Sequence, residues 1–247
     1  MYPYLSLGPL VVQLPGLALL AGVYLALLLT EKRAAHLKLN KEHVYNMVFW
    51  GLVAGIVGAR LAYATRFLSV YLESPLSLLA LNPQTLSPVD GILTGLLVAG
   101  VYGRRKNLPL RPTLDALAPG LAAFMVAVGV AHFLSGDAFG APTDLPWGIY
   151  LWDAYRHPTQ IYEVILALGV FLAVWKQPLG RPGDGLNFLL LVALSGGARL
   201  FLEAFRGDSL VWDGGWRAAQ IVSLAVVLLS LALMQKWYPP LQNRQKR

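Results

Sequence analysis

Eight consecutive residues, Arg156-His157-Pro158-Thr159-Gln160-Ile161-Tyr162-Glu163, set six polar or ionisable side chains directly against the apolar run 164–175. An imidazole titrates near neutrality and can take a proton. A guanidinium presents planar donors matched to phosphate or carboxylate. A charge held inside a bilayer is costly, so one kept there points to a site. Thr159 and Glu163 stand four apart, which puts both on one face of a helix that also carries Gln160 inward. Pro158 suits the first helical position, where its missing N–H costs nothing. The plainer reading is a helix cap with Tyr162 as an interfacial aromatic.

Three further groups carry polar chemistry. In Gly196-Gly197-Ala198-Arg199-Leu200-Phe201-Leu202-Glu203-Ala204-Phe205-Arg206-Gly207-Asp208, the spacing of Arg199, Glu203 and Arg206 makes one helical stripe. Glu203 can hold one arginine and leave the other for an anion; the alternative is a self-satisfied ladder, a weak source of stability when buried. Gly51 and Gly55 form a small-xxx-small face for close helix packing, with Arg60 and Tyr63 beyond it. Arg60 suits either a ligand or snorkelling to the headgroups. His132 closes an apolar run and opens the loop Ser135-Gly136-Asp137, as a proton acceptor or as a satisfied interfacial histidine. Asp90 reads as a helix-start residue before it reads as a base.

These groups need a scaffold, and composition says which. The 247 residues are 56% hydrophobic and 13% charged, with mean hydropathy +0.55. Soluble domains carry roughly 25% charged residues, so the chain is expected to be an all-α, polytopic membrane protein. A span needs about 20 mostly apolar residues. Seven candidates run 11–30, 45–67, 89–102, 114–133, 159–175, 186–205 and 217–237. The third is short, and a half-helix over 76–81 is expected to precede it. No repeat or long linker divides the chain, so residues 1–247 read as one integral membrane domain. The N-terminus lacks a basic n-region and a small-residue cleavage site, so the first span is expected to stay.

Loop charges orient the map. Fourteen of the 20 Lys and Arg fall in alternate connections and at the C-terminus, four on the opposite side, and two, Arg60 and Arg199, within spans. The positive-inside rule then places the N-terminus outside and the C-terminus in the cytoplasm. The net charge of +7 belongs to these topology-setting loops rather than to nucleic-acid binding. Asp137, Asp144, Asp153, Arg156, His157, Arg206, Asp208 and Asp213 all fall on the outer side. Convergence on one leaflet fits a headgroup-level site better than a transporter, whose polar groups sit at the midplane. There is no cysteine, and the four histidines lack metal-ligand spacing, so no metal or cofactor is expected.

At these residues the chain resembles the prolipoprotein diacylglyceryl transferases, bacterial inner-membrane enzymes. The family's H-P-[ST]-Q-[LI]-Y-E motif matches His157 to Glu163 without departure. Its R-F-x-x-E-F-x-R-x-x-D pattern matches Arg199, Glu203, Arg206 and, one residue early, Asp208. Its G-G-R-[LI]-x-Y segment resembles Gly58-Ala59-Arg60-Leu61-Ala62-Tyr63, and its G-Q-x-x-S start of the last helix is similar to the stretch with Gln220 and Ser223. There are departures. In the signature G-R-x-G-N-F-x-N-G-E/D the arginine falls on Gly129 and the first asparagine on His132. The family's H-G-G histidine falls near Asp90-Gly91, and its early Tyr-Gly becomes Pro15-Gly16.

The resemblance implies transfer of diacylglyceryl from phosphatidylglycerol to the lipobox cysteine thiol of a prolipoprotein, in a multi-pass protein of the bacterial inner membrane whose active site faces the outer leaflet. The expected partners are phosphatidylglycerol, the prolipoprotein signal peptide and the bilayer. Arg199, with Arg60 or Arg206, is expected to hold the lipid phosphate. His132, or else His157 or Asp90, takes the thiol proton. Glu163, Glu203, Gln160 and Tyr162 orient these groups. A lipid-binding relative with lost or altered transferase activity is the alternative raised by Gly129. A small transporter is a third reading, for which paired interrupted helices are missing from the sequence.

Overall fold

The computed structural model describes residues 3–7, 10–79, 85–176 and 183–238. Among them are seven helices of 17 residues or more: α1 (Leu14–His36), α2 (Lys41–Arg66), α4 (Pro88–Arg105), α5 (Leu110–Ser135), α6 (Thr159–Lys176), α7 (Leu186–Leu202) and α8 (Ala218–Trp237). A short helix α3 (Leu68–Glu73) and a 3-10 turn (Pro75–Leu79) lie between α2 and α4. Each long helix coincides with one expected span. By length and composition, α1, α2, α5, α6 and α8 are long and apolar enough to cross a membrane. The chain is thus a polytopic, all-helical membrane protein, and the large exposed apolar side chains along the helices are what lipid requires of them.

Several boundaries move for local reasons. The expected first span starts at residue 11, but Leu10–Gln13 is a strand (β2) paired antiparallel with Tyr4–Leu7 (β1), and the helix begins only at Leu14. Pro15 fixes that start: proline is pre-organised for the first helical turn. Helix α7 ends at Leu202, short of residue 205, but tight turns from Ala204 N–H to Phe201 and from Phe205 N–H to Leu202 carry the chain onward. Pro158 falls just before α6 rather than inside it. The expected half-helix is the 3-10 turn as far as Leu79; residues 80 and 81 lie outside the described residues, as do Arg181, Arg244, Lys246 and Arg247 of the charge count. A second hairpin was not expected: Ile149–Leu151 (β3) pairs with Ala154–Arg156 (β4) across the two-residue loop Trp152-Asp153.

Two compact units divide the chain, residues 38–110 and residues 1–37 with 111–247. In the first, α2 and α4 approach backbone to backbone. A Cβ at Gly55 would stand 3.1 Å from the Gly91 carbonyl oxygen, and one at Gly95 2.8 Å from that of Gly51. The small face expected on α2 thus meets a matching one, Gly91-xxx-Gly95, on α4. Such contact suits a bilayer, where helix association rests on van der Waals packing rather than on the hydrophobic effect.

In the second unit, α5 packs against α1, α6 and α7. A Cβ at its Gly120 would run into Thr30 and the Ala26 carbonyl of α1. The dry core is Ala118 and Ala122 of α5, Val170 and Val174 of α6 and Leu191 of α7, flanked by Met125, Phe171 and Phe188. Buried Asp115 of α5 accepts from the N–H groups of Gly183 (3.1 Å), Gly185 (2.9 Å) and Phe188 (3.1 Å). It thereby satisfies donors that a helix N-terminus otherwise leaves open, and ties α7 to α5. Asn187 adds a bond to the Val174 carbonyl at the end of α6.

Candidate functional site

The last turn of α5, the first of α6 and the end of α7 meet at one end of the larger unit. The loops leaving them interlock. Ala141 donates to the Phe205 carbonyl (2.8 Å), Gly207 to Phe139 (2.9 Å) and His157 to Ala141 (3.0 Å). Gly140 is squeezed between the His157 carbonyl and Gly207, where any Cβ would collide. The outer-side residues grouped by the sequence thus belong to one small headpiece built from residues 136–158 and 203–217.

Below this headpiece the α6 motif turns inward. Thr159 Oγ1 donates to the Ala138 carbonyl (2.6 Å) and Gln160 Nε2 to that of Asp137 (2.9 Å), both side chains being buried. These bonds hold the signature loop against the N-terminus of α6. Glu163, one turn deeper, pairs with His132: Nδ1 to Oε2 is 2.8 Å, and both side chains are partly accessible. With Nδ1 bonded to a carboxylate, the imidazole keeps Nε2 for another partner. Gly129 makes the pair possible. A Cβ there would stand 2.9 Å from Val164 Cγ2 and 3.2 Å from Val164 N, so α5 and α6 approach at this level because no side chain intervenes.

Arg199 Nη2 lies 3.0 Å from Oε2 of fully buried Glu203, one turn along α7. Arg199 and Glu163 line one cavity of about 110 Å³, whose other walls are apolar apart from Ser195, among them Met125, Val128, Leu166 and Leu202. A cation and a carboxylate at the edge of an apolar slot between spanning helices suit an amphiphile: headgroup at the charges, chain along the wall.

The other candidate residues sort differently. Arg206 makes a bidentate fork with Asp208 (2.8 and 2.7 Å). His157 packs edge-on against Phe205 with centroids 5.2 Å apart, and its buried Nδ1 has no hydrogen-bond partner among the described residues. Tyr162 accepts at its hydroxyl from Trp147 Nε1 (2.8 Å). Arg60 and Asp90 belong to the smaller unit. The Arg60 guanidinium donates to the carbonyls of Ser77 (2.6 Å), Leu78 (3.1 Å) and Thr85 (3.1 Å) and to the Thr85 hydroxyl, and it faces the Tyr71 ring. It fastens the segment that follows α3. Asp90 pairs with Arg66 at 2.7 Å and accepts from Ser87, as a residue of the first turn of α4. Of the three arginines expected to hold phosphate, Arg199 is the one on the cavity.

Two residues that matter here had no role assigned from the sequence. Arg156 donates to the carbonyls of Leu151, Gly140 and Trp152 and caps the Phe139 ring, which fixes the hairpin to the headpiece. Arg217 donates to the carbonyls of Glu203 and Arg206 and to Ser209, which closes the α7–α8 loop under the end of α7. Arg217 did carry a signal: it is one of only four basic residues expected on the side opposite the basic loops.

Comparison with known proteins adds a family. The family model described as prolipoprotein diacylglyceryl transferase matches residues 3–236. A protein of Gloeobacter violaceus named phosphatidylglycerol–prolipoprotein diacylglyceryl transferase is 33% identical over 92% of this chain and 91% of its own length. Proteins of the same name are 31% identical in Chloroflexus aggregans, over 90% and 83% of the two chains, and 27% identical in Clostridioides difficile, over 86% of each.

Proposed function

This chain belongs to the prolipoprotein diacylglyceryl transferase family, and we propose that it moves diacylglyceryl from phosphatidylglycerol to the lipobox cysteine thiol of a prolipoprotein. The observation that carries the reading is the cavity edged by Arg199 and Glu163, with His132 bonded to Glu163. The lipid phosphate sits at Arg199, which Glu203 holds in place. Glu163 binds Nδ1 of His132, and Nε2 takes the proton from the incoming thiol, since the thiolate is the nucleophile. The sulfur then attacks the glyceryl carbon that bears the phosphate. A C–S bond forms, the C–O bond breaks, and glycerol phosphate leaves with the electron pair. Arg199 faces the charge that grows on the departing oxygen, the electrostatic work for which a fixed cation is suited.

The reading takes residues 1–247 as one domain of the bacterial inner membrane, with the N-terminus and the headpiece outside. The positive-inside count supports this orientation. His157 and Tyr162 pack with Phe205 and brace the headpiece, and Arg60 and Arg206 act through the segments they fasten.

A second reading rests on one residue. With Gly129 in place of the signature arginine, the protein is a lipid-binding relative whose transfer has been lost or redirected. A single assay separates the two. Purified protein is given phosphatidylglycerol with labelled acyl chains and a lipobox peptide, with a Cys→Ser peptide as control. Label on the cysteine peptide alone supports the transferase. Binding of phosphatidylglycerol by folded protein without label on either peptide supports the second reading.

A further inference from the structure

Four of the seven tryptophans sit in the headpiece, and all four rings are turned outward: Trp147 is 55% exposed, Trp152 58%, Trp212 50% and Trp216 66%. Tyr150 and Tyr155, equally exposed, stack edge to face on the β3–β4 hairpin with centroids 5.5 Å apart. Exposed indoles usually keep their N–H for water. Here the protein takes two of them: Trp147 Nε1 donates to the Tyr162 hydroxyl (2.8 Å) and Trp152 Nε1 to the Gly136 carbonyl (3.2 Å). What these rings present outward is carbon.

The same two bonds fix their level. Tyr162 is in the first turn of α6, and Gly136 follows the last residue of α5. Trp216 comes two residues before α8. The rings therefore stand where spanning helices end, not at the tip of a long loop. The hairpin turn is strained to hold this arrangement. Trp152 and Asp153 lie at φ 52° and 59°, the type I′ geometry that glycine and asparagine favour, and a bulky residue there needs a reason. The three arginines of these loops, Arg156, Arg206 and Arg217, stand among five aspartates, Asp137, Asp144, Asp153, Asp208 and Asp213, so attraction to anionic headgroups is not what the surface offers.

We infer that this aromatic face is immersed in the bilayer, and that its partner is the boundary between lipid headgroups and acyl chains in the leaflet at the headpiece end. Tryptophan and tyrosine collect at that boundary in membrane proteins. Immersion would hold the loops over the cavity at the level of the lipid phosphates. The inference rests on the headpiece alone and stands whichever reaction the site performs.

The absence of cysteine makes the test direct. Trp152→Cys and Trp216→Cys, each carrying a nitroxide, are reconstituted in vesicles of phosphatidylcholine and phosphatidylglycerol, with Lys106→Cys, exposed just past the end of α4, as the aqueous reference. Oxygen is expected to relax the label more than a water-soluble nickel chelate does at both tryptophan positions, with a depth of roughly 5–10 Å into the headgroup and acyl boundary, where interfacial elements lie. The balance should not shift with salt. Chelate dominance at either position overturns the inference, as does a label that becomes shielded only when a lipobox peptide is added, which would make the face a polypeptide dock. A second measurement leaves the headpiece unaltered. With Trp50, Trp175 and Trp237 replaced by phenylalanine, the remaining fluorescence should be quenched by lipid brominated near the headgroup and not by aqueous iodide. The reverse pattern overturns the inference too.

Discussion

Restoring the family's arginine at position 129 should impair this protein. A Cβ on Gly129 would stand 2.9 Å from Val164 Cγ2 and 3.2 Å from the Val164 backbone nitrogen, both inside ordinary van der Waals contact, and 3.4 Å from Glu163 Cγ. Backbone cannot rotate away, so α6 must shift by a few tenths of an ångström before the rest of an arginine is considered. Overpacking of this kind costs about 1–3 kcal/mol, against a helix-propensity gain over glycine of at most about 1 kcal/mol. The shift falls on Glu163, the next residue, and so on the 2.8 Å bond to His132. Hydrogen bonds to charged groups contribute about 1.5–3 kcal/mol, and 1.36 kcal/mol is tenfold in rate. Gly129→Arg should therefore lose about 10- to 100-fold in kcat and melt earlier in detergent; Gly129→Ala should show a smaller loss in the same direction. The assay is label transfer to a lipobox peptide, beside a thermal unfolding curve. Activity above that of the parent chain in Gly129→Arg would refute the reasoning, because the close approach of α5 and α6 would then not be what the pair requires.

Three more expectations follow from the geometry. Arg199→Ala should abolish transfer while the protein still inserts and folds, and Arg199→Lys should recover only part of it, since an ammonium lacks the planar fork; full activity in the alanine variant would remove Arg199 from the mechanism. Asp115→Ala leaves three backbone donors at the start of α7 without their acceptor, at a cost on the order of 3 kcal/mol, which a chemical or thermal unfolding curve should show while the KM for lipid stays put. Arg60→Ala should loosen the segment from α3 to the 3-10 turn, read as faster hydrogen exchange across residues 68–79, whereas Arg206→Ala should leave that exchange unchanged.

The sequence by itself determined which segments are helices. A span is a local quantity, about 20 apolar residues whose backbone must bond internally, and each of the seven runs became a helix. It also determined one packing face, Gly51 and Gly55, because small residues four apart mark close approach whatever the partner. It grouped Asp137, Arg156 and His157 with Arg206 and Asp208, which share one headpiece, because every second connection lies at the same end of a bundle. Only tertiary structure decided which of those residues meet. His132 and Glu163 are 31 positions apart, and their pairing depends on how α5 and α6 are rotated about their axes. A helix bathed in lipid is apolar nearly all round, so the periodicity that reveals the inward face of a soluble helix is weak. The same blindness covers Asp115, whose carboxylate serves a helix about 70 residues later, and the arginines. Nothing in the residue type separates Arg60, Arg156 and Arg217, whose donors hold loop carbonyls, from Arg199, which faces the cavity. A guanidinium answers to whatever acceptors surround it, and those acceptors are brought by the fold.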